Sequence, residues 1–157
     1  MGNQSDQAPQ TAVVGKTAPG FSLSDLDGNM VNFSPRQGKI IYLFFWATWC
    51  PYCVQEAKAL QSFVESAGDK VEVVAVNSGE PREQVKAFVH NNNITYTVLL
   101  DQDGKVGRQY LVRGIPVTWI IDKHGIIWGN YVGALGIATL QNILTVVEKE
   151  QSYAPRQ

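Results

Sequence analysis

The stretch KIIYLFFWATWCPYCVQE, residues 39–56, decides the architecture. After Lys39, IIYLFFWA is an unbroken apolar run rich in β-branched and aromatic residues, which predicts a strand buried on both faces. From Cys53 the apolar period turns helical: Ala57, Leu60, Val64 and Ala67 recur at helical steps, and Gly68 stands where a C-cap belongs. A buried strand therefore hands over to a helix at Cys50-Pro51-Tyr52-Cys53, with the first thiol at or just before the helix N-terminus. Unpaired backbone donors and the helix macrodipole favour a thiolate there, and such positions lower a cysteine pKa from about 8.5 to roughly 3.5–7.5. Cys50 is the candidate nucleophile. Cys53 lies three residues on along the same side of the helix, so it can attack a mixed disulfide that Cys50 makes.

Outward from this stretch the hydrophobic period keeps switching. Upstream, Phe21-Ser22-Leu23-Ser24 and Met30-Val31-Asn32-Phe33 alternate on either side of the Asp27-Gly28-Asn29 turn, which predicts a hairpin. Downstream, VEVVAVN reads as a second buried strand, and Pro81 opens a helix carrying Val85, Phe88 and Val89 that runs out at Asn91-Asn92-Asn93. TYTVLL is a third strand, followed by a short helical piece around Val106 and Tyr110. Ile115-Pro116-Val117-Thr118-Trp119-Ile120-Ile121 is a fourth, with its proline at the start, where a ladder donor can be spared. The DKHG turn joins it to IIWGNYV, and a last helix carries Ile137, Leu140, Ile143, Leu144 and Val147 on one stripe. Strands alternating with helices and closing in a hairpin and a helix predict an α/β fold, a mixed sheet covered on both faces. The expected organisation is one domain over residues 14–150 between flexible tails at 1–13 and 151–157.

Composition narrows the functions. Thirteen Lys+Arg against fourteen Asp+Glu leave a formal net charge of −1, with no basic run to mark nucleic acid or an anionic membrane as a partner. Two cysteines cannot build a disulfide framework, and a bond closing so short a loop constrains the unfolded chain little. Structural zinc wants four ligands, and His90 and His124 lie far downstream at no finger spacing. Val54 follows Cys53, so the pair is no haem attachment site. Redox chemistry remains for the two thiols, and it needs no bound cofactor or metal, because the electrons reside in the sulfurs. The polar lead-in MGNQSDQAPQTA lacks the apolar run of a signal or anchor, and Asp6 breaks the myristoylation pattern after Gly2. Its Met1-Gly2 start reads as a junction left after a native signal or anchor has been removed.

FWATWCPYC, the Glu56 after it, the RGIPVT stretch at Arg113 to Thr118 and Gly133 resemble the thioredoxin superfamily. Within it they are similar to the TlpA/ResA branch of extracytoplasmic thiol-disulfide oxidoreductases, which includes the cytochrome c maturation proteins of the CcmG/DsbE type. The likeness runs from about Val14 to Lys149 and takes in GKTAPGFSLSDLDG, similar to that branch's opening hairpin. It implies a thioredoxin-like fold in which an inserted strand-helix unit, including Pro81 to Asn91, lengthens the stretch between Cys53 and Pro116. It implies a catalytic set of Cys50, Cys53, Glu56 and Pro116, with a Cys50-Cys53 redox disulfide. Pro116 matches the family's cis-proline, which holds a substrate backbone beside the disulfide; read without the resemblance, it is a strand-edge proline in trans. Trp49, Pro51, Tyr52, Ile115 and Val117 are the expected substrate contacts.

Glu56 matches the acid that the branch carries three places after its second cysteine, thought there to manage protons. Its spacing with Leu60, Phe63 and Ala67 independently puts a carboxylate on a partly apolar face, where burial raises its pKa toward neutrality. The alternative is a solvated first-turn glutamate complementing the helix dipole. Phe44 stands where thioredoxin has a buried aspartate, which puts more weight on Glu56. Pro51-Tyr52 is the dipeptide familiar from glutaredoxins and is read as tuning of the thiol and its docking surface. The resemblance implies a protein outside the cytoplasmic membrane, in the periplasm or on the membrane's outer face. It would act as a monomer that reduces disulfide-containing proteins such as apocytochrome c and is recharged by a membrane thiol donor of the CcdA/DsbD type.

Rivals within the fold fare worse. A peroxiredoxin wants Thr or Ser three residues before its cysteine, where Ala47 stands. A copper chaperone of the Sco type spaces its cysteines differently and needs a histidine, although two thiolates can take Cu(I). A disulfide-donating oxidant is the alternative within the class, because direction is set by small differences in thiolate stabilisation. Trp46 and Trp119 are expected in the core and Trp49 at the rim of the site. His90 and His124 read as solvated, and the sequons Asn32-Phe33-Ser34 and Asn93-Ile94-Thr95 as chance matches.

Overall fold

The computed structural model describes residues 10–35 and 38–153. Its strands are β1 (Phe21–Asp25), β2 (Met30–Phe33), β3 (Ile40–Trp46), β4 (Val71–Ser78), β5 (Thr97–Asp101), β6 (Val117–Ile121) and β7 (Ile127–Val132), with helices α1 (Pro51–Ala67), α2 (Arg82–Asn91), α3 (Lys105–Gln109) and α4 (Ile137–Tyr153). They form one mixed sheet in the order β2-β1-β5-β4-β3-β6-β7. β3, β4 and β5 run parallel, joined by helical crossovers, while the outer pairings are antiparallel.

Every residue of β3 is buried, as a central strand under two covered faces requires. Alternation splits its side chains between two cores. Ile40, Tyr42, Phe44 and Trp46 pack with Leu60 and Phe63 of α1, Val85 of α2 and Leu140 and Val147 of α4. Ile41, Leu43 and Phe45 pack on the other face with Val106 of α3, Tyr110 and Phe33. Trp46 and Trp119 are both core residues, as expected.

The segment between α2 and β5 is tied to α1 by polar contacts. Gln61 accepts the Thr95 N–H at 2.9 Å and donates to Thr95 Oγ1 at 2.9 Å, and the Tyr96 hydroxyl donates to the Ala57 carbonyl at 2.8 Å. Long-range ties of this kind hold the helix that carries the cysteines against the parallel half of the sheet.

The expected limits of the domain need correction at both ends, and residues 1–9 and 154–157 of the expected tails lie outside the described residues. Ala12, placed in the N-terminal tail by its polar neighbours, is buried and donates its N–H to the Gln109 carbonyl at 2.8 Å. The chain then runs beside β7, where the Gly15 N–H donates to Ile127 O and the Ile127 N–H to Lys16 O. At the other end α4 continues through Tyr153, into the stretch expected as tail. Helix α1 also starts earlier than the apolar period indicated, because Pro51 occupies its first turn, where its missing donor costs nothing.

Four connections meet at the end of the sheet where β3 stops and β6 begins. They are the β3–α1 loop with Cys50, the β4–α2 turn with Glu80, the Gly114-Ile115-Pro116 approach to β6, and the Gly133–Gly136 loop into α4. Loops at the carboxyl ends of parallel strands are where sheets of this kind place their chemistry.

Candidate active site

Cys50 is the N-cap of α1, with extended backbone angles (φ −98°, ψ 112°). Its sulfur takes the place that a serine or aspartate oxygen fills at other helix starts and accepts the Cys53 N–H at 3.2 Å. A helix N-terminus aimed at a sulfur stabilises the anion over the neutral thiol. On its other side the Cys50 thiol faces the Ile115 carbonyl at 3.9 Å, so it lies beside the Ile115–Pro116 peptide, which is cis. The Gly133 N–H donates to the Pro116 carbonyl at 2.9 Å, and Gly133 itself adopts φ +100°, a conformation open to glycine at little cost. Both cysteines are free thiols; Cys50 retains 6% exposure and Cys53 none.

The two sulfurs thus occupy unlike environments. Burial pushes the Cys53 thiol well above its ordinary range, and the hydrogen bond with Cys50 and the nearby Glu56 carboxyl push the same way. Cys53 is a protonated, sheltered thiol that needs a base before it can attack anything.

Glu56, one turn further along α1, is fully buried. The Thr118 hydroxyl donates to Glu56 Oε2 at 2.5 Å and the Leu135 N–H to Oε1 at 3.3 Å. Burial raises the carboxyl to about 7 against the lowering pull of these two bonds. The buried placement read from its stripe with Leu60 and Phe63 therefore holds, and the solvated alternative does not. A carboxyl poised near neutrality beside a buried thiol can take up and return a proton at working pH.

Around this centre Trp49 and Tyr52 stand out, at 68% and 67% exposure, and Pro51 is also exposed. Ile115 is half-buried at the edge of the same surface. The expected contact from Val117 needs correction: its side chain is 5% exposed and packs in the far core with Phe45 and Trp119. Strand alternation sends Thr118, not Val117, to the face that holds Glu56. A shallow cavity of about 310 Å³ adjoins the site, lined by Tyr52, Gln55, Ala59, Ala134, Leu135 and Gly136.

Thr118 and the Leu135 backbone were not foreseen as partners of Glu56, and neither was the Glu80 contact to Thr48. Among the described residues no three His, Cys, Asp or Glu side chains gather as a metal-binding group, and His90 is exposed and His124 half-buried. No helix among the described residues is long and apolar enough to cross a membrane.

The fold and this centre define a thiol-disulfide oxidoreductase of the thioredoxin-like class, and comparison with known proteins agrees. The chain is 40% identical over 124 residues, 77% of its length and 72% of the relative's, to the thioredoxin-like protein YneN of Bacillus subtilis. It is 39% identical over 120 residues, 74% of its length and 68% of the relative's, to the thiol-disulfide oxidoreductase ResA of Geobacillus thermodenitrificans. Among solved structures, a putative thiol:disulfide interchange protein DsbE from Chlorobium tepidum superposes with a TM-score of 0.75 at 30% identity, covering 87% of this chain and 99% of that one. Residues 14–129 match the AhpC/TSA family, and the chain belongs to it.

Proposed function

We propose that the chain reduces disulfides in partner proteins through Cys50 and Cys53. The observation that carries this reading is the Cys50 sulfur at the head of α1, accepting the Cys53 N–H, with Cys53 and Glu56 buried behind it. The Cys50 thiolate attacks one sulfur of a substrate disulfide; that S–S bond breaks, the other substrate sulfur leaves as a thiolate, and a Cys50–substrate mixed disulfide forms. Glu56 as carboxylate draws the proton from Cys53. The Cys53 thiolate then attacks the Cys50 sulfur, releases the second substrate thiolate and closes a Cys50-Cys53 disulfide. Two electrons have passed to the substrate, whose thiolates pick up protons, one of them by way of Glu56. Trp49, Pro51, Tyr52 and Ile115 supply the surface on which an extended segment lies along the Pro116 backbone.

Similarity to proteins named ResA and DsbE supports a place for this chemistry outside the cytoplasmic membrane. The substrate would be apocytochrome c or another envelope disulfide during cytochrome c maturation. The return electrons would come from a membrane thiol donor of the CcdA/DsbD type, with the protein acting as a monomer. The test is to mix the reduced protein with an oxidised peptide carrying a Cys-x-x-Cys-His disulfide and to count thiols on each partner. The expected result is one peptide disulfide reduced for each Cys50-Cys53 disulfide formed. A peptide left oxidised by the reduced protein, or a reduced peptide oxidised by the disulfide form, contradicts the reading.

A further inference from the structure

Glu80 is the most heavily hydrogen-bonded carboxylate near the site, yet it touches neither sulfur's hydrogen-bond partners nor Glu56. It follows Gly79, a positive-φ residue in the turn after β4, and is 5% exposed. Its Oε1 accepts the Thr48 N–H and the Asn77 side-chain amide, both at 2.7 Å. Its Oε2 accepts the Thr48 hydroxyl at 2.6 Å and the Gln84 side-chain amide at 3.0 Å. Both oxygens are thus filled by donors, and one residue, Thr48, is held at its backbone and its side chain together.

The clamp is itself anchored. The Glu80 N–H donates to Asn77 Oδ1 at 3.3 Å, Gln102 donates to the Glu80 carbonyl at 2.8 Å, and Gln84 also donates to Thr48 Oγ1 at 3.1 Å. Asn77 is fully buried and pairs in register with Trp46, the last residue of β3. The β4–α2 turn therefore grips the loop that leads from β3 to the candidate nucleophile, two residues before it. A loop gripped at Thr48 has little freedom left at Trp49 and Cys50, because Cys50 is already committed to the N-cap of α1.

We propose that Glu80 is a positioning residue: by clamping Thr48 it fixes where the Cys50 sulfur sits over the helix N-terminus and how Trp49 is presented to substrate. The proposal rests on the reading of Cys50 as the attacking thiol. Its alternative, that the carboxylate acts only through its charge, has the opposite sign. Removing a nearby anion favours the thiolate and speeds its reactions, whereas releasing the loop misplaces the sulfur and slows them.

The experiment measures iodoacetamide alkylation of the reduced protein across pH, with mass mapping of the labelled cysteine, together with the reduction potential. It uses the unsubstituted protein, Glu80→Gln, Thr48→Ala and the double variant. Glutamine keeps the size but brings an amide that faces donors on either side. The expected result is labelling at Cys50, slowed by about three- to tenfold at pH 7 in each single variant. The alkylation profile shifts to higher pH, the potential falls because the reduced form has lost thiolate stabilisation, and the double variant is scarcely slower than either single one. Unchanged profile and potential with only a lower melting temperature would overturn the proposal in favour of a purely structural role. Faster alkylation in Glu80→Gln would overturn it in favour of bare charge. Labelling at Cys53 in the unsubstituted protein overturns the reading of Cys50 as well, whereas labelling at Cys50 without any effect of the variants overturns the clamp alone. Should Glu80→Gln fail to fold, Thr48→Ala decides by the same criteria, since it leaves the carboxylate three of its donors.

Discussion

Cys50→Ser is expected to lose disulfide-reducing turnover by a factor on the order of 10³ or more while remaining folded. A serine hydroxyl at the N-cap accepts the Cys53 N–H as well as sulfur does, so α1 starts as before. What disappears is the sulfur nucleophile at the head of α1, and a serine hydroxyl cannot attack a disulfide in its place. Cys53 cannot stand in for it, because it is fully buried and burial keeps its proton on. The complementary Cys53→Ser variant separates the steps: it attacks normally but accumulates a mixed disulfide at Cys50, which intact-mass measurement detects and a reductant clears. Turnover retained in both variants contradicts the dithiol mechanism.

Glu56→Gln is expected to slow release from the mixed disulfide by about 10²-fold and to abolish its pH dependence. With Glu56 present, release accelerates as pH rises through about 7, where the carboxylate forms and can draw the Cys53 proton. Glutamine mimics only the protonated acid: its carbonyl accepts from Leu135, its amide faces Thr118, and it takes up no proton. The same variant changes stability with a definite sign. The folded-state carboxyl lies at about 7 against an ordinary 4.5, so the folded protein holds a proton that the unfolded chain has lost across that window. The native protein therefore loses stability as pH rises from about 4.5 through about 7, while Glu56→Gln escapes that loss. The two should be close at pH 4 and diverge by about 3 kcal/mol in favour of the variant at pH 8, read from urea unfolding. Parallel stability curves for the two proteins contradict a buried titrating Glu56.

Much of this was legible because it is local. An all-buried β3 followed by a helical period and Gly68 locates the strand-to-helix handover within two residues, and the handover alone puts Cys50 at a helix start. The burial of Glu56 could be read from its own stripe, since Leu60 and Phe63 on that side must face the core. What escaped is what the fold brings together from afar. Thr118 and Leu135 lie 62 and 79 residues from Glu56, and Thr48 lies 32 from Glu80, with no pattern near either carboxylate to announce the partner. Val117 is a different case. The parity of β6 already assigned Val117, Trp119 and Ile121 to one face and Thr118 and Ile120 to the other, so alternation alone turns the Val117 side chain away from the face that holds Glu56. Ala12 escaped because the edge on which it docks exists only once α3 and β7 are in place.

The reduction potential of the Cys50/Cys53 couple, equilibrated in defined dithiol buffers and followed by the fluorescence of the adjacent Trp49, tests the central claim most directly. A single two-electron couple at about −220 mV or lower is the predicted result and fits a donor of electrons to envelope disulfides. A couple near about −120 mV marks a protein that gives its disulfide away and contradicts the direction proposed.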